Sequence, residues 1–403
     1  MRYGLIGERL GHSFSPMIHG MLGDYPYELV ELTPDEVPAF MRENDLDGFN
    51  VTIPYKQTVM PYLKGLSPAA QAIGSVNTVI RRPDGSLFGD NTDYWGFARL
   101  LGDAAPFRGR KALVLGSGGS SRTVQAVLRD AGIPYVVISR GGENNYANVH
   151  THRDAALIVN TTPVGMYPHA GQSPLPLGGF TDCRLVLDLI YNPHRTALLM
   201  EAESQGIEGR NGLLMLAAQA ERAAQLWGLS PEGEDRSLAI TERLQRHTQN
   251  IALIGMPGCG KSAVGRALSE LTGRHLKDID EMIVREVGMP IPDYFERHGE
   301  AAFRAVETAV LARAAAQSGV IIATGGGIVT RPENLPLLRQ NSRILWIQRD
   351  LARLSQADRP VTRGRGIQAL WRERQPLYQA WSERAYDNHS PHAVAQAIQE
   401  EYL

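Results

Sequence analysis

Cysteine is nearly absent: Cys183 and Cys259 are the only two in 403 residues. That excludes a disulfide framework and a zinc site built from cysteines. Lysine is scarce as well. Of 41 basic residues, the lysines are Lys56, Lys64, Lys111, Lys261 and Lys277, and all the others are arginine. No apolar run approaches the roughly 18 residues that mark a membrane-spanning helix. The opening MRYGLIGERLGHS also lacks the apolar core of a signal peptide. Nor does one sign of charge dominate. The formal net charge is −2, so no basic surface argues for nucleic acid as a partner. These absences leave a cytoplasmic enzyme acting on small molecules, of unspecified oligomeric state, as the expectation.

What is present is the composition of an ordinary folded chain, 43% hydrophobic and 21% charged. Its length predicts about two or three domains. The shortage of lysine gives weight to those that remain. Base composition of the genome accounts for most such biases, yet lysine offers a compact, titratable charge and arginine does not. Lys56 and Lys261 both fall inside motifs.

Residues 1–100 alternate short strand and helix patterns. YGLIG (3–7), PYELVEL (26–32) and GFNVTIPYK (48–56) predict strands, the last running into a proline turn. TPDEVPAFMREND (33–45) opens on a capping residue and predicts a helix. SVNTVIRR and SLFGDN, joined at Asp84-Gly85, predict a hairpin. From 111 the rhythm changes. KALVLGSGGSSRTVQAVLRDAG reads strand, glycine turn, helix, and PYVVISR, ALIVNTTP and RLVLDLIY add strands. This alternation predicts βαβ units and a parallel sheet. Helices are predicted over 212–227 and 237–247. A fresh strand–loop–helix unit opens at 250, with GVIIATGGG and SRILWIQ as further buried strands. The connector between the two parts is short, about 248–250.

Two glycine loops differ in kind. Gly255-x4-Gly260-Lys261-Ser262 matches the phosphate-loop pattern without a gap. Its glycines, Gly255, Gly258 and Gly260, let the backbone of the loop, Cys259 included, turn amide groups toward phosphate oxygens. The helix that follows adds its positive end. Lys261 would reach the outer phosphates of ATP, and the Ser262 hydroxyl would ligate Mg²⁺. The other loop reads Gly116-x-Gly118-Gly119-Ser120 after a strand and before a helix, a dinucleotide-binding context. The next strand ends at Ser139-Arg140. Asp or Glu there would hold ribose hydroxyls, whereas arginine suits a 2′-phosphate and favours NADP(H).

Around these loops lie further motifs. Asp278-Ile279-Asp280, Phe303-Arg304, Gly325-Gly326-Gly327, Asp358-Arg359-Pro360 and Arg374-Gln375-Pro376-Leu377-Tyr378 follow the second loop in order. The set resembles shikimate kinase over essentially all of 250–403. Before the first loop stand Gly11-His12-Ser13-Phe14-Ser15-Pro16, Asn50-Val51-Thr52-Ile53-Pro54-Tyr55-Lys56, Ser75-Val76-Asn77-Thr78 and Gly89-Asp90-Asn91-Thr92-Asp93. With Ala217-Ala218-Gln219-Ala220, they resemble shikimate dehydrogenase over roughly 1–247.

The resemblance implies roles residue by residue. In the first part, Ser13 and Ser15 would donate to the substrate carboxylate. Thr52, Asn77 and Gln219 would hold ring hydroxyls, and Lys56 and Asp93 would flank the reacting oxygen. Tyr191 and Gly212 would lie near the nicotinamide. His12 is read as structural. In the second part, Asp280 would accept the proton of the acceptor hydroxyl. Arg304 and Arg374 would bind the carboxylate, and Gly326 and Gly327 would admit backbone close to the ring. Arg359 would cover the phosphates from a lid, and Asp278 would support Mg²⁺ through water. One departure stands out. The family often has a second arginine shortly after the first in its NADP clamp, and this chain reads Arg140-Gly141-Gly142-Glu143-Asn144. The strength of the preference for NADP over NAD is left open.

The expected fold class is α/β throughout. An α/β substrate domain (1–100 with 212–247) would embrace a Rossmann-type NADP-binding domain (101–211). A P-loop kinase domain with a parallel sheet, of nucleoside-monophosphate-kinase type, would occupy 250–403. The expected activity is bifunctional: NADPH-dependent reduction of 3-dehydroshikimate to shikimate, then MgATP-dependent phosphorylation of shikimate. A quinate-type dehydrogenase joined to another small-molecule kinase is the alternative, or one half acting as an inactive regulatory module.

Overall fold

A computed structural model describes residues 1–11, 13–354 and 366–403. His12 and Arg359 therefore lie outside the described residues. Packing divides the chain into two compact units. The first comprises Met1–Val164, Ser173–Tyr191 and Leu198–Leu244; the second comprises Gly165–Gln172, Asn192–Ala197 and Gln245–Leu403. Among the described residues no helix is long and apolar enough to cross a membrane.

The first unit holds two sheets. One has six strands, β1 (Tyr3–Gly7), β2 (Tyr27–Glu31), β3 (Gly48–Val51), β4 (Gly65–Leu66), β5 (Thr78–Arg81) and β6 (Leu87–Asp90), in the order β2-β1-β3-β5-β6-β4. β1 and β3 are buried along their whole length, as strands covered on both faces must be. β5 and β6 pair antiparallel across the Asp84-Gly85 turn. Gly85 there takes φ +80°, and Asp84 Oδ1 accepts from the Ser86 amide at 3.0 Å. The other sheet is all parallel: β7 (Ala112–Leu115), β8 (Tyr135–Ile138), β9 (Leu157–Asn160), β10 (Leu185–Asp188) and β11 (Glu208–Asn211), in the order β11-β10-β9-β7-β8. The chain leaves β7 toward β8 on one side and returns to β9 on the other. The glycine loop after β7 thus opens at the switch point, where such sheets bind ligands.

The second unit carries one parallel sheet of β12 (Asn250–Ile254), β13 (Leu276–Asp278), β14 (Ile321–Ala323), β15 (Ser342–Gln348) and β16 (Arg384–Asp387), in the order β13-β14-β12-β15-β16. β12 is central and fully buried, and it feeds the phosphate loop and the helix Lys261–Thr272. The helix Ile291–Ala315 is broken at Gly299, which takes φ +80°.

Three short strands, β4, β11 and β16, escape a reading of the sequence. β11 (EGRN) and β16 (RAYD) are largely polar edge strands. An edge strand is held by backbone pairing on one side and needs no apolar run to announce it.

A buried histidine in the first unit gives a pH test. His19 is 1% exposed, stacks on Tyr27 (centroids 3.9 Å apart, planes 13° apart) and has Nδ1 2.8 Å from Tyr25 Oη. Burial, only partly opposed by a hydrogen bond with Asn50, pulls its pKa from 6.5 down to about 3. The folded state keeps this ring neutral, while the unfolded chain protonates it below about 6.5. Its contribution to stability is therefore complete above the unfolded pKa and is lost as pH falls toward 3. The expected cost is about 1.4 kcal/mol per pH unit between roughly pH 6 and pH 4. Urea melts of wild type and His19→Gln should show a less stable variant at pH 8 but a shallower fall on acidification. Parallel pH profiles would refute the assignment.

Candidate active sites

In the first unit a cleft of about 420 Å³ is lined by residues from Leu5 to Gln219. Lys56 enters it from the turn after β3, where its carbonyl accepts from the Val76 amide at 2.8 Å. Asp93 enters from the first turn of the helix Thr92–Leu101. Their side chains meet with Nζ 2.5 Å from Oδ2, both partly exposed to the cleft at 29% and 18%. Asn77 is anchored below: its Oδ1 accepts from the Thr92 amide at 2.7 Å, and its Nδ2 donates to Gln219 Oε1 at 3.1 Å. Ser13, Ser15, Thr52 and Tyr191 complete the wall. The cleft thus offers an ammonium–carboxylate pair beside a row of hydroxyls and carboxamides.

Two residues here went unassigned from sequence. Asn50 lines the cleft and accepts from Tyr27 Oη at 2.8 Å, while its Nδ2 donates to Thr78 Oγ1 at 3.1 Å. Thr92 fixes Asn77. Both lie in the motifs quoted above, but nothing local marks them as supports, because their partners are remote in sequence.

A second cavity of about 640 Å³ opens at the glycine loop after β7. Gly116 takes φ +102°, and a Cβ there would meet Thr161 Oγ1 at 2.9 Å. Gly118 and Gly119 have nothing within 4 Å of a Cβ position, so their backbone is open to a ligand. Ser139 and Arg140 line this cavity. Ser117 lines it too, whereas Ser120 sits exposed on the first helical turn. Tyr191 lines the other cleft, with Lys56 and Asp93. Gly212 is packed so closely on the Leu189 carbonyl that a side chain would not fit.

In the second unit, Gly255, Gly258 and Gly260 all take positive φ, at +145°, +83° and +97°. Lys261 is 7% exposed, and its Nζ donates to the carbonyls of Gly255 and Met256 at 2.9 and 3.0 Å. Ser262 follows on the first turn of the helix, partly exposed. Asn388, just past β16, donates to the Cys259 carbonyl at 2.8 Å and fills the space a Cβ on Gly260 would need. Asp278 Oδ1 caps the helix Ile279–Val287, accepting from the amides of Asp280 and Glu281 at 3.1 and 3.3 Å.

Around Gly325–Gly327 the charged residues converge. Arg304 (7% exposed) donates Nη1 to Glu307 Oε2 at 2.6 Å, and Glu307 is 1% exposed. Burial pushes the Glu307 carboxyl up, offset by the Arg304 charge. Arg374 Nη1 donates to the Gly326 carbonyl at 3.1 Å. A Cβ on Gly325 would lie 3.1 Å from Asp280 Oδ1 and against Glu307. Arg304 Nε, Arg374 Nε and Glu307 Oε1 are buried without a hydrogen-bond partner among the described residues. Buried polar atoms are seldom left so.

Comparison with known proteins agrees in both halves. The model of the shikimate dehydrogenase substrate binding domain matches residues 5–79. A shikimate dehydrogenase (NADP(+)) from Bacillus cereus is 34% identical over 273 residues, covering 60% of this chain and 98% of its own. The chain belongs to the shikimate dehydrogenase family. Another such dehydrogenase, from an Exiguobacterium species, is 38% identical over 253 residues, covering 58% of this chain and 95% of its own. Among solved structures, a chorismate mutase/shikimate 5-dehydrogenase fusion protein from Clostridium acetobutylicum superposes with a TM-score of 0.56 at 34% identity. That match covers 60% of this chain and 97% of the other. Shikimate 5-dehydrogenase from Thermus thermophilus, solved with NADP(H) and shikimate, gives 0.54 at 34%, covering 61% and 99%. The shikimate kinase model matches residues 257–402. A shikimate dehydrogenase is thus followed by a shikimate kinase domain, making a bifunctional enzyme of the shikimate pathway.

The cleft of the first unit gathers Ser13, Ser15, Thr52, Lys56, Asn77, Asp93 and Gln219 from five separate stretches of sequence. In the second unit Asp280, Arg304, Gly326, Gly327 and Arg374 come together around the Gly325–Gly327 turn. Glu307 was missed, although it stands three residues after Arg304 on one helical face, the spacing at which side chains meet. Gly327 gives a test. A Cβ there would run into the Arg304 guanidinium, which has no spare room. Gly327→Ala should raise the kinase KM for its acceptor about tenfold or more while dehydrogenase turnover stays as in wild type. An unchanged KM would show that Arg304 does not hold the acceptor.

Proposed function

We propose that residues 1–247 reduce 3-dehydroshikimate to shikimate with NADPH, and that residues 250–403 phosphorylate the shikimate 3-hydroxyl with MgATP. The observation that carries this reading is that one chain keeps two full sets of reacting groups. They are the Lys56–Asp93 pair in the first cleft and Asp280 with Arg304 and Arg374 beside the phosphate loop in the second.

The residues present fit the groups these reactions need. The glycine loop after β7 has exposed backbone at Gly118 and Gly119 and a cavity of about 640 Å³, suited to a pyrophosphate at a helix N-terminus. The loop 255–262 has the glycine conformations and the lysine of a triphosphate cradle. Among the described residues no three His, Cys, Asp or Glu side chains cluster as metal ligands. That suits Mg²⁺, which keeps several waters and takes one or two protein oxygens plus phosphate. Ser262 would be the direct ligand. Asp278, with Oδ1 engaged in the helix cap, would act through water.

When bound, NADPH supplies hydride and MgATP supplies the phosphoryl group. In the first half Ser13 and Ser15 bind the carboxylate end of the ring, while Thr52, Asn77 and Gln219 hold its hydroxyls. Lys56 donates a proton to the carbonyl oxygen as charge develops there, and Asp93 keeps the ammonium charged and placed. In the second half Arg304 and Arg374 clamp the carboxylate, arginine forks being suited to it. Asp280 accepts the proton of the 3-hydroxyl. Lys261, with Arg359 from the stretch outside the described residues, offsets phosphate charge during transfer.

A one-pot assay with 3-dehydroshikimate, NADPH, ATP and Mg²⁺ tests both steps. Shikimate 3-phosphate should form only with ATP present, and shikimate should accumulate without it. Loss of NADPH with shikimate accumulating despite ATP would defeat the kinase assignment. No oxidation of NADPH or NADH would defeat the first half.

A further inference from the structure

We propose, resting on the NADP(H) reading above, that Tyr146 is a specificity-determining residue whose hydroxyl binds the cofactor's 2′-phosphate beside Arg140, in place of a second arginine. The strand β8 delivers Ser139 and Arg140 to the glycine-loop cavity, and the chain then brings Tyr146 back to the same wall. Ordinary loop freedom would make that placement worthless, but this loop is tied down by its own asparagines. Asn145 Nδ2 donates to the Gly142 carbonyl at 3.2 Å, and the Asn145 amide donates to Asn148 Oδ1 at 2.8 Å. Asn148 Nδ2 donates to the Glu143 carbonyl at 2.7 Å, and the Asn144 carbonyl accepts from the Ser139 amide at 3.1 Å. His152 Nε2 lies 2.9 Å from Asn144 Oδ1. Side chains that bond their own loop in this way fix a turn.

Tyr146 packs on the apolar cluster that includes Ile138 and Leu175, and with Arg140 it is among the residues that line the cavity. Among the described residues, none hydrogen-bonds to its hydroxyl. Partial burial raises the phenol pKa, and the nearby Arg140 charge opposes the rise. The hydroxyl therefore stays protonated near neutral pH and can donate. A phosphate monoester carries roughly −1.5 to −2 charge near pH 7, more than a single guanidinium neutralises. A fixed neutral donor on the same wall adds a charge-assisted hydrogen bond to it. NADH has no phosphate there, so the hydroxyl acts on one cofactor and not on the other.

Tyr146→Phe keeps the packed ring and removes only the donor. In the full-length enzyme the KM for NADPH should rise about tenfold, the worth of a hydrogen bond to a charged group. The KM for NADH and both kcat values should stay within about twofold of wild type, since that bond is absent with NADH. Inhibition by adenosine 2′,5′-bisphosphate should weaken in parallel, and inhibition by 5′-AMP should not. This pair reads the subsite by binding alone, and on the wild-type protein it should favour the bisphosphate. If wild type prefers NADPH and Tyr146→Phe keeps the same NADPH-to-NADH ratio, the role of Tyr146 is overturned and the cofactor reading stands. If wild type uses NADH as readily as NADPH and binds the two inhibitors equally, the cofactor reading itself has failed and this proposal falls with it.

Discussion

Lys56→Ala is expected to lower kcat for carbonyl reduction by about 10³- to 10⁴-fold and leave the kinase rate of the same sample unchanged. The ammonium has two tasks in one position. It stabilises the oxygen as it becomes an alkoxide, an effect of about 10²–10³ for a single donor. It also delivers the proton, typically worth about 10²–10⁴. The two overlap in the same atom, so they do not multiply. Asp93, 2.5 Å away, would be left as an unpaired carboxylate facing the developing negative charge, which adds to the loss. Substrate KM should change far less, because the carboxylate and hydroxyl contacts lie on other residues. Lys56→Arg should not rescue, since guanidinium does not release a proton near neutrality. A kcat within tenfold of wild type for Lys56→Ala would remove Lys56 from the chemistry. Loss of both activities would argue against independent halves.

The mirror experiment is Lys261→Ala, for which phosphoryl transfer should fall by about 10³-fold or more while 3-dehydroshikimate reduction continues. Transfer of a phosphoryl group depends almost wholly on positioning and on compensating charge. Lys261 is 7% exposed, and the carbonyls of Gly255 and Met256 draw its Nζ across the loop. A charge so enclosed acts in a medium of low effective dielectric, where it counts for more than at a surface. Lysine, a compact point charge, stands here in a chain otherwise rich in arginine. Release of ADP, followed with shikimate and ATP at saturation, measures the effect, dehydrogenase turnover reports that the first unit is untouched, and an unchanged thermal melt of the second unit reports that it is folded. Retention of more than a tenth of the wild-type rate would show that another group neutralises the phosphates.

How much of this was legible beforehand depends on how local each feature is. The hairpin at Asp84-Gly85, the strands β1, β7 and β12 and the two glycine loops follow from neighbouring residues. Alternating or continuous burial, turn chemistry and positive-φ glycines are all local matters. The sequence motifs likewise carried nearly every candidate residue of the two sites. The edge strands β11 and β16 were not legible, because their polar sequences pair through backbone alone. Glu307, Asn50, Thr92, Asn388 and Tyr146 were not assigned either. Asn50, Thr92 and Asn388 work through partners that local pattern does not point to, such as Asn388 on the Cys259 carbonyl 129 residues away, whereas the three-residue spacing of Arg304 and Glu307 on one helical face was there to be read.

By itself the sequence determined the α/β class, the two families, the two nucleotide loops and the residue types available for each reaction. Only the tertiary structure decided which of them meet. Asn77 and Gln219 lie 142 residues apart and share a hydrogen bond, and Arg374 reaches Gly326 across 48. The strand orders β2-β1-β3-β5-β6-β4 and β13-β14-β12-β15-β16 set which strand ends lie side by side, and the helices Leu213–Leu226 and Ile367–Trp381 carry Gln219 and Arg374 to Asn77 and Gly326. The physical reason is the range of the forces. Backbone preferences and hydrophobic periodicity act over a few residues and are written consecutively. The order in which strands pair is set by burying all of them at once, and no short stretch of sequence records it.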